Sequence, residues 1–510
     1  MFIINQPKTK TMKNLSMSKT KILMALAIGV LVIIRSSAIG QSITFEKTYN
    51  YNPEDGVWCV QQTLDGGYVF SGWTGAVGLN SGQYDVVVTK TDAYGNQLWN
   101  KTIGGSSEWD MGRFIQQTSD SGYIIVGDTG ITTWNSDIYL IKMDVNGNVQ
   151  WSKTWGGVNP DYGHCVRQTF DGGYIIAGQV MQSGYQMNLT KTDAGGNISW
   201  NTNYYAGEMH SVRQTSDSGY IAMGFSGAIG AGSCDVILLK VDKNGTQQWV
   251  KTYGAAGYDW AKYVVQTLDG GYAFVGGLCA SMSTGCGIHL IKVDNVGTIL
   301  WDKTAGFESI DLSMSNLEQT TDSGFVFTGS ILTSYTVPFD TTHTSDLYVI
   351  RTDKNGDTLW TKSVGDTSDE RGYFIEQTTD KGFIVAGYKL LVQNISSWKP
   401  DIYLVKLDSM GSQNSITGIK TKNYSGASVN VYPNPANDHI NCKIFSSVQD
   451  IATVDVVDVL GRKILSETKD LLTGENEFDL NVADISRGMY VVRLQTGLGT
   501  YRVLKEVVVK

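Results

Sequence analysis

Three short motifs recur along this chain and limit what it can fold into. A Q-T-x-D-x-G motif followed by an aromatic residue occurs seven times, and a K/R-x-D-x-x-G motif also occurs seven times. A W-x-K-T motif, with replacements in some copies, occurs six times. Successive Asp residues of the first motif are 55, 51, 46, 52, 53 and 58 residues apart. A period near fifty residues is typical of a four-stranded propeller blade and is longer than most helical repeats.

Each repeat predicts four short β-strands. Runs of β-branched, aromatic and other apolar residues alternate with Gly, Asn and Asp, which are typical turn residues. For one copy the predicted strands are Arg113–Gln117, Tyr123–Asp128, Asp137–Met143 and Val149–Thr154. A single blade cannot bury both faces of its sheet, so the blades are expected to stack around a central axis.

The unequal motif counts predict how the ring closes. The last copy has three predicted strands (Gly372–Gln377, Gly382–Tyr388 and Asp401–Leu407) and no W-x-K-T strand after them. A lone segment of that type, Phe45–Thr48, stands near the start of the chain. We therefore predict an all-β protein in which residues 41–411 form a seven-bladed β-propeller closed by this N-terminal strand, which removes two free sheet edges.

The D-x-x-G-x-x-x-W element, as in Asp144–Trp151 and Asp353–Trp360, resembles the tryptophan-docking repeat of quinoprotein-type propellers. The copies in this chain are one residue shorter between Asp and Gly and lack the usual Thr before the Gly, so the resemblance supports the architecture and says nothing for a quinone cofactor. It implies that the indoles pack between neighbouring blades as core residues. These are Trp99, Trp151, Trp200, Trp249, Trp301 and Trp360.

Residues 1–40 have the pattern of a signal peptide. Basic residues from Lys10 to Lys21 precede the apolar run Ile22–Ile34, and Ala38–Gly40 offers a small-residue cleavage site. This run is short for a membrane span, although an uncleaved anchor is the alternative. The net charge of −9 and the lack of a basic stripe argue against nucleic acid as a partner.

A Ser-, Gly-, Asn- and Lys-rich linker at residues 412–427 precedes a different pattern. Alternating short strands over residues 428–510 predict a small immunoglobulin-like β-sandwich. The predicted strands are Val429–Pro435, Ala452–Leu460, Glu477–Leu480, Gly488–Leu494 and Tyr501–Lys510.

The same region resembles the C-terminal sorting domain (type A) of the type nine secretion system. The segments V-Y-P-N-P, V-D-V-V-D-V-L-G-R, I-S-R-G-M-Y-V-V-R-L and K-E-V-V-V-K carry the resemblance, in that order. The residues expected to form the sorting signal are Tyr432, Pro433, Asn434, Pro435, Gly461, Gly488, Tyr490, Lys505 and Lys510.

This resemblance implies a Gram-negative host, entry to the periplasm by the Sec pathway, and recognition of residues 428–510 by the outer-membrane translocon and its sortase. In the family the domain is commonly removed, and the passenger is released or attached to surface lipopolysaccharide. We therefore expect the chain to be secreted or held at the outer cell surface.

The two faces of the predicted propeller differ in their connections. The Q-T-x-D-x-G and D-x-x-G turns share one face and are short and uniform, as scaffold turns are. The fourth-to-first and second-to-third connections share the other face and vary, so ligand binding is expected there. The candidate rim residues are Asp55, Trp58, Trp109, Asp110, Asp161, Tyr162, His164, His210, Asp259, Trp260 and Glu370.

Two interpretations of this rim remain open. Its carboxylates and aromatic rings could stack sugars or hold a cation. Alternatively, each carboxylate accepts backbone N–H bonds from its own loop or from the next blade, a scaffold need that would repeat once per blade. His164 and His210 occupy equivalent positions, with Arg113 and Lys262 at that position on either side, but no catalytic motif accompanies them.

No metal, cofactor or catalytic residue is assigned. The turns that begin at Asp144, Asp242 and Asp353 lack the further acids of a calcium loop. The six Cys residues have no C-x-x-C spacing, so a zinc site is not expected. Cys286 could pair with either Cys279 or Cys234.

Three functions are compatible with these patterns. The leading hypothesis is a non-catalytic propeller that binds a glycan or protein ligand. The first alternative is an extracellular polysaccharide hydrolase or lyase with carboxylates at the propeller mouth, and the second is a structural surface or adhesion component. Two acids roughly 5–9.5 Å apart in an open pocket would favour glycoside hydrolysis. Acids that accept bonds from backbone amides would favour the scaffold interpretation.

Overall fold

The computed structural model describes residues 43–509 of the chain with internal gaps. The gaps are residues 76–83, 106–108, 131–134, 280–285, 307–309, 312–315, 338–339, 367, 391–398, 413–428, 433–436, 447–448, 459–462, 487 and 497–501. The predicted signal peptide at residues 1–40 lies outside the described residues. Within the described ranges, no helix is long and apolar enough to cross a membrane.

Five four-stranded antiparallel sheets, blades one to five, follow one another along the chain. In each sheet the strands pair in chain order, so the first and fourth strands form the two edges. Blades one and two contain β2 (Glu54–Gln62), β3 (Tyr68–Gly75), β4 (Tyr84–Thr91), β5 (Gln97–Ile103), β6 (Trp109–Gln117), β7 (Tyr123–Gly130), β8 (Ser136–Met143) and β9 (Val149–Trp155). Blades three to five contain β10 (Tyr162–Gln168), β11 (Tyr174–Met181), β12 (Tyr185–Thr192), β13 (Ile198–Ala206), β14 (Glu208–Gln214), β15 (Tyr220–Ser226), β16 (Asp235–Val241), β17 (Gln247–Tyr253), β18 (Trp260–Gln266), β19 (Tyr272–Cys279), β20 (Cys286–Val293) and β21 (Ile299–Gly306).

The sixth blade departs from this regular plan. Its first strand is described as two pieces, β22 (Ile310–Asp311) and β23 (Leu317–Gln319), which both pair with β24 (Phe325–Val337). A long hairpin joins β24 to β25 (Asp340–Thr352), and β26 (Thr358–Val364) completes the sheet.

The seventh blade closes the ring as predicted. It contains β27 (Asp369–Gln377), β28 (Phe383–Leu390), β29 (Asp401–Leu407) and the N-terminal strand β1 (Phe45–Tyr49). β1 is antiparallel to β29, with Phe45 opposite Lys406 and Tyr49 opposite Ile402. The described strands therefore form a seven-bladed β-propeller in which one sheet contains both ends of the repeat.

Aromatic rings of the outer strands join each blade to the next. The ring in the outermost strand of one blade lies 5.7 to 6.1 Å from the Tyr or Phe that begins, or nearly begins, the second strand of the following blade. The seven outer rings are Phe45, Trp99, Trp151, Trp200, Trp249, Trp301 and Trp360. The predicted packing between blades is thus observed, with half-buried indoles at the edge of the core. The relation to quinoprotein repeats stays a prediction.

A ring of glutamine side chains joins the same neighbours on the Q-T turn face. Each glutamine that precedes the Thr accepts a bond through Oε1 from a backbone N–H in the preceding blade's turn, and Gln62 of blade one accepts from Thr379 N of blade seven. The seven are Gln62, Gln117, Gln168, Gln214, Gln266, Gln319 and Gln377. This shared contact explains why the motif begins with Gln.

The Asp of the same motif holds a buried cation in every blade. In blade four, Asp217 accepts bonds from Thr215 Oγ1, Gly219 N and Lys240 Nζ, and the ion pair with Lys240 has a length of 2.9 Å. The buried cations are Lys90, Lys142, Lys191, Lys240, Lys292, Arg351 and Lys406. A buried ammonium is tolerated only when it is paired and hydrogen-bonded, so this turn repeats as a unit.

The C-terminal region forms two further sheets. One contains β30 (Val429–Tyr432), β31 (His439–Ser446) and β34 (Gly474–Asn481). The other contains β33 (Lys463–Leu471), β32 (Asp450–Asp458), β35 (Gly488–Thr496) and β36 (Arg502–Val509). Ile440 and Leu480 of the first sheet join Val454 and Val492 of the second in one buried cluster. The predicted β-sandwich is observed, although β31 and β33 were not predicted, and its immunoglobulin-like character stays a prediction.

Candidate functional site

Register shifts in the innermost strands of six blades leave one or two residues without a partner on the neighbouring strand. In blade one the register shifts between Val57 and Cys59, which leaves Trp58 without a partner opposite it. Bulges of this kind re-aim a side chain and are common next to functional sites. The residues in the six shifted segments are Trp58, Arg113, His164, His210, Lys262 with Tyr263, and Tyr373.

These side chains meet in a cavity of about 80 Å³, which we call the mouth cavity. Its lining consists of Trp58, Arg113, His164, His210, Lys262 and Tyr263. The ring of Tyr373 stacks on Trp58 at a centroid distance of 5.2 Å and an angle of 18°. The Trp58 indole Nε1–H is buried and has no hydrogen-bond partner. The lining therefore includes a flat aromatic ring whose buried donor has no partner in the protein.

The two histidines of the mouth cavity lie next to one another, with their ring planes tilted by 31°. Their ring centroids are 4.5 Å apart, and His210 Nε2 lies 3.0 Å from Glu208 Oε2. Burial lowers the pKa of both imidazoles well below its ordinary value, and the adjacent Arg113 adds to this effect. Both rings are therefore neutral at pH 7.

Arg113 is held by a carboxylate and an aromatic ring. Its guanidinium forms an ion pair with Asp128, with Nη2 3.4 Å from Oδ2, and lies 5.5 Å from the centroid of the Tyr162 ring. These contacts fix the direction of the side chain. A fixed guanidinium is a better donor to a ligand oxygen than a mobile one, because less rotamer freedom is lost on binding.

The predicted rim carboxylates lie at the start of the innermost strands or directly before them, and they are buried. Asp161 accepts bonds from Gly157 N (2.8 Å) and Met181 N (2.7 Å). Asp55 and Asp259 are likewise bonded by backbone amides of nearby loops. The exposed fractions of Asp55, Asp110, Asp161, Asp259 and Glu370 are 0%, 2%, 3%, 0% and 0%. This arrangement favours the scaffold interpretation over a cation site.

Glu370 differs from the other carboxylates because its partner is a side chain. Lys389 Nζ lies 2.7 Å from Glu370 Oε1 and 2.8 Å from Asp366 Oδ2. Burial raises the pKa of Glu370 to about 7, although Lys389 opposes this shift. Glu370 does not line the mouth cavity.

The predicted rim aromatics divide into two groups. Trp58 lines the mouth cavity, whereas Trp109, Tyr162 and Trp260 do not. The Trp109 ring contacts the edge of Tyr84 at 5.0 Å, and Trp260 lies so close to Gly277 that a Cβ there would come within 2.6 Å of the indole. In the sequence, His164 and His210 have equivalent positions in neighbouring blades, but sequence reasoning did not assign Arg113, Lys262, Tyr263 or Tyr373 to the site.

The structure also describes the calcium-like turn at Asp144 and the pairing of the cysteines. Asp144 Oδ1 accepts bonds from Asn146 N and Asn148 N, so this turn bonds to itself. Cys279 is disulfide-bonded and lies opposite Cys286 in the strand register. Cys234 is a free thiol, so the alternative pairing of Cys234 is wrong.

The predicted sorting residues are only partly described. Tyr432 lies in β30, Gly488 and Tyr490 in β35, and Lys505 in β36. The Tyr490 hydroxyl donates to Ser486 O at 2.7 Å, which ties the start of β35 to the preceding turn. The others, Pro433, Asn434, Pro435, Gly461 and Lys510, lie outside the described residues.

Comparison with known proteins identifies the C-terminal region. A family model described as a secretion system C-terminal sorting domain matches residues 430–510. The chain is thus exported by the type nine secretion system to the cell surface or the extracellular space. No curated protein matches the chain.

Several solved structures resemble the fold at low identity. PorZ, an essential bacterial surface component of the type-IX secretion system of Porphyromonas gingivalis, is 11% identical with a TM-score of 0.40, and the match covers 90% of this chain and 59% of PorZ. A protein of unknown function from Dyadobacter fermentans is 11% identical (TM-score 0.37, 72% and 98% covered), and a fungal alcohol oxidase of the AA5 family is 12% identical (TM-score 0.42, 92% and 99% covered). This chain thus spans 59% of the length of PorZ. Likenesses at these values carry no argument about activity or partners.

Proposed function

We propose that this exported chain is a non-catalytic binding protein whose propeller holds a glycan at the mouth cavity. The observation that carries the proposal is that five of the six shifted segments of the innermost strands line one axial cavity. Residues that differ between blades on a common scaffold are free to serve a ligand.

The chemistry of the lining supports an oxygen-rich ligand. Arg113, Lys262 and the Trp58 indole Nε1–H are hydrogen-bond donors, and the face of Trp58 suits an apolar sugar face. The volume of about 80 Å³ is well below the roughly 300–1,000 Å³ of pockets for whole small ligands. The mouth cavity therefore suits one substituent of a larger glycan.

The same lining argues against the hydrolase alternative. Glycoside hydrolysis needs two carboxyl groups beside the scissile bond. The described lining of the mouth cavity contains no carboxylate. We therefore place the chain among binding proteins, brought to the surface through contacts of its sorting domain with the translocon and sortase.

A glycan array probed with residues 41–510, with and without calcium, tests this proposal. Trp58→Ala removes the stacking face and the unpaired donor, so selective binding should fall about tenfold or more, as expected for a hot-spot aromatic. Trp260→Ala is the matched control, because Trp260 lies on the same face but outside the lining. Melting temperatures of both variants would show that they are folded.

Two results would contradict the proposal. A blank array would remove the glycan and leave a protein ligand as the alternative. Binding that survives Trp58→Ala and is lost in Trp260→Ala would move the site from the axis to the rim.

A further inference from the structure

A second cavity, of about 220 Å³, lies on the axis nearer the Q-T turns, and we call it the lower axial cavity. Rings from separate blades meet between the two cavities: Phe374 lies 5.7 Å from Phe114 and 6.0 Å from Tyr263. The polar side chains of the lower axial cavity are Gln61, Arg167, Arg213, Asn316, Glu318 and Glu376. It is a site separate from the mouth cavity.

Its charges are arranged in two like-charged pairs. Neighbouring blades three and four contribute Arg167 and Arg213, and neighbouring blades six and seven contribute Glu318 and Glu376. All four stand two residues before the Thr of a Q-T motif, a position occupied by Gln or Val in the other blades. The sequence therefore places both cations on one side of the axis and both anions on the other.

Burial and repulsion between like charges destabilise the charged forms in both pairs. Burial, with the charge of Arg167, lowers the pKa of Arg213 to about 10. Burial, with the charge of Glu318, raises the pKa of Glu376 well above its ordinary value. Among the described ion pairs none joins either arginine to either glutamate. The opposite charges influence each other across the cavity without contact.

Hydrogen bonds within the protein satisfy only some of the polar groups in the lining of the lower axial cavity. Arg213 Nε donates to Val264 O at 3.1 Å, and Glu318 Oε2 accepts from Gln377 N at 2.8 Å. Arg167 Nε is buried with no hydrogen-bond partner, while its guanidinium lies 4.6 Å from the centroid of the Phe114 ring. Buried charge without a direct counter-charge is costly, and in a cavity it is a common mark of a ligand site.

We propose that the lower axial cavity binds a small zwitterion of the α-amino acid class, with its carboxylate at Arg167 and Arg213 and its ammonium at Glu318 and Glu376. The volume of about 220 Å³ equals that of about seven water molecules at roughly 30 Å³ each, which is enough for a small amino acid. A simple anion or a metal cation would compensate one wall of the cavity and leave the other uncompensated.

Calorimetric titration of residues 41–510 with defined probes tests this assignment. The zwitterions are glycine, β-alanine and 4-aminobutyrate, in which the charges are progressively further apart, and the single-charge probes are acetate and methylammonium. We expect at least one zwitterion to bind saturably, and each single-charge probe to bind about tenfold or more weakly, because it meets one wall only.

Variants then locate the binding. Arg167→Gln and Glu376→Gln should each weaken the zwitterion by about tenfold or more. Lys153→Gln, an equal change of charge on the outer strand β9, should leave its affinity unchanged.

The assignment is overturned if no zwitterion binds better than acetate and methylammonium, or if folded Arg167→Gln and Glu376→Gln retain the original affinity. A higher melting temperature in Glu376→Gln with no change in probe affinity would show a purely structural cluster and also overturn it. If the variants do not fold, the comparison of probes on the unaltered chain decides alone.

Discussion

The contacts between neighbouring blades are the same around the ring, whereas the residues at the axis differ from blade to blade. The glutamine bond on the Q-T turn face and the aromatic contact of the outermost strand each recur seven times. At the shifted position of the innermost strand, six blades carry Trp, Arg, His, His, Lys and Tyr. A contact that each blade needs restricts the residue in every copy, so repetition marks the scaffold. Variation at one backbone position marks the surface that is free to bind.

Deletion of residues 43–49 is the strongest test of the contacts between blades. It removes β1, which supplies the fourth strand of blade seven, and with it the Phe45 ring and the buried Tyr49. Loss of two packed aromatics at about 3–5 kcal/mol each approaches the whole net stability of about 5–15 kcal/mol. We expect loss of the cooperative thermal transition of the propeller, measured by circular dichroism. An unchanged transition would show that β1 is dispensable.

One pair of tryptophan variants distinguishes residues that stabilise the contacts between blades from residues that bind a ligand at the axis. Trp200 packs on the next blade and donates from Nε1 to Lys243 O at 3.1 Å, so Trp200→Ala should cost about 2–3 kcal/mol in the free energy of unfolding, less than a fully buried Trp. Trp58→Ala should cost about 1–2 kcal/mol because it loses mainly the stack on Tyr373, yet weaken ligand binding about tenfold or more. Urea unfolding and the glycan assay measure the two effects. If both variants lose stability and binding in the same proportion, the distinction fails.

The contacts between blades were predictable from the sequence because identical residues recur in each copy. Counting the motifs was enough to predict seven blades and the role of Phe45–Thr48 in closure. The C-terminal strands His439–Ser446 and Lys463–Leu471 were missed because polar residues interrupt their apolar pattern.

The residues that line the axis were harder to predict because their types vary from blade to blade. The residues two positions before each Q-T Thr, among them Arg167 and Glu376, are found only by register and show no shared type. The repeat predicts an aspartate at the entrance to most innermost strands, but the sequence alone does not show whether a carboxylate points to solvent or to backbone amides. Asp161 points to Gly157 N and Met181 N, and this depends on loop conformation.

Three glycine substitutions should destabilise the propeller to different extents, according to the backbone angle and the space at each glycine. Gly245 has a φ of 80°, and a Cβ there would lie 2.9 Å from the Trp200 ring, so Gly245→Ala should cost about 2 kcal/mol. Gly172 has a φ of 83° with nothing within 4 Å, so Gly172→Ala should cost about 1 kcal/mol from backbone strain alone. Gly105→Ala, with open space and no such φ, should stay within about 0.5 kcal/mol. Equal urea midpoints for all three would contradict the packing of the indole on this turn.

The smallest expected effect concerns the acid sensitivity of the Q-T turns. Partial burial would raise the pKa of Asp217, but Thr215, Lys240 and Gly219 outweigh it and lower the pKa to about 2. A carboxyl whose pKa is depressed by folding contributes stability above its unfolded pKa, and this contribution disappears as the pH falls from about 4 to about 2. Because the side chain is 55% exposed, solvent screens it, and Asp217→Asn should cost about 1 kcal/mol or less at pH 7. Urea midpoints at pH 7, 4, 3 and 2 should converge for the variant and the unaltered chain, since the charge that distinguishes them is lost in acid. A difference that stays constant down to pH 2 would show that the Asp217 charge does not stabilise the turn, and that its repetition in every blade reflects shape alone.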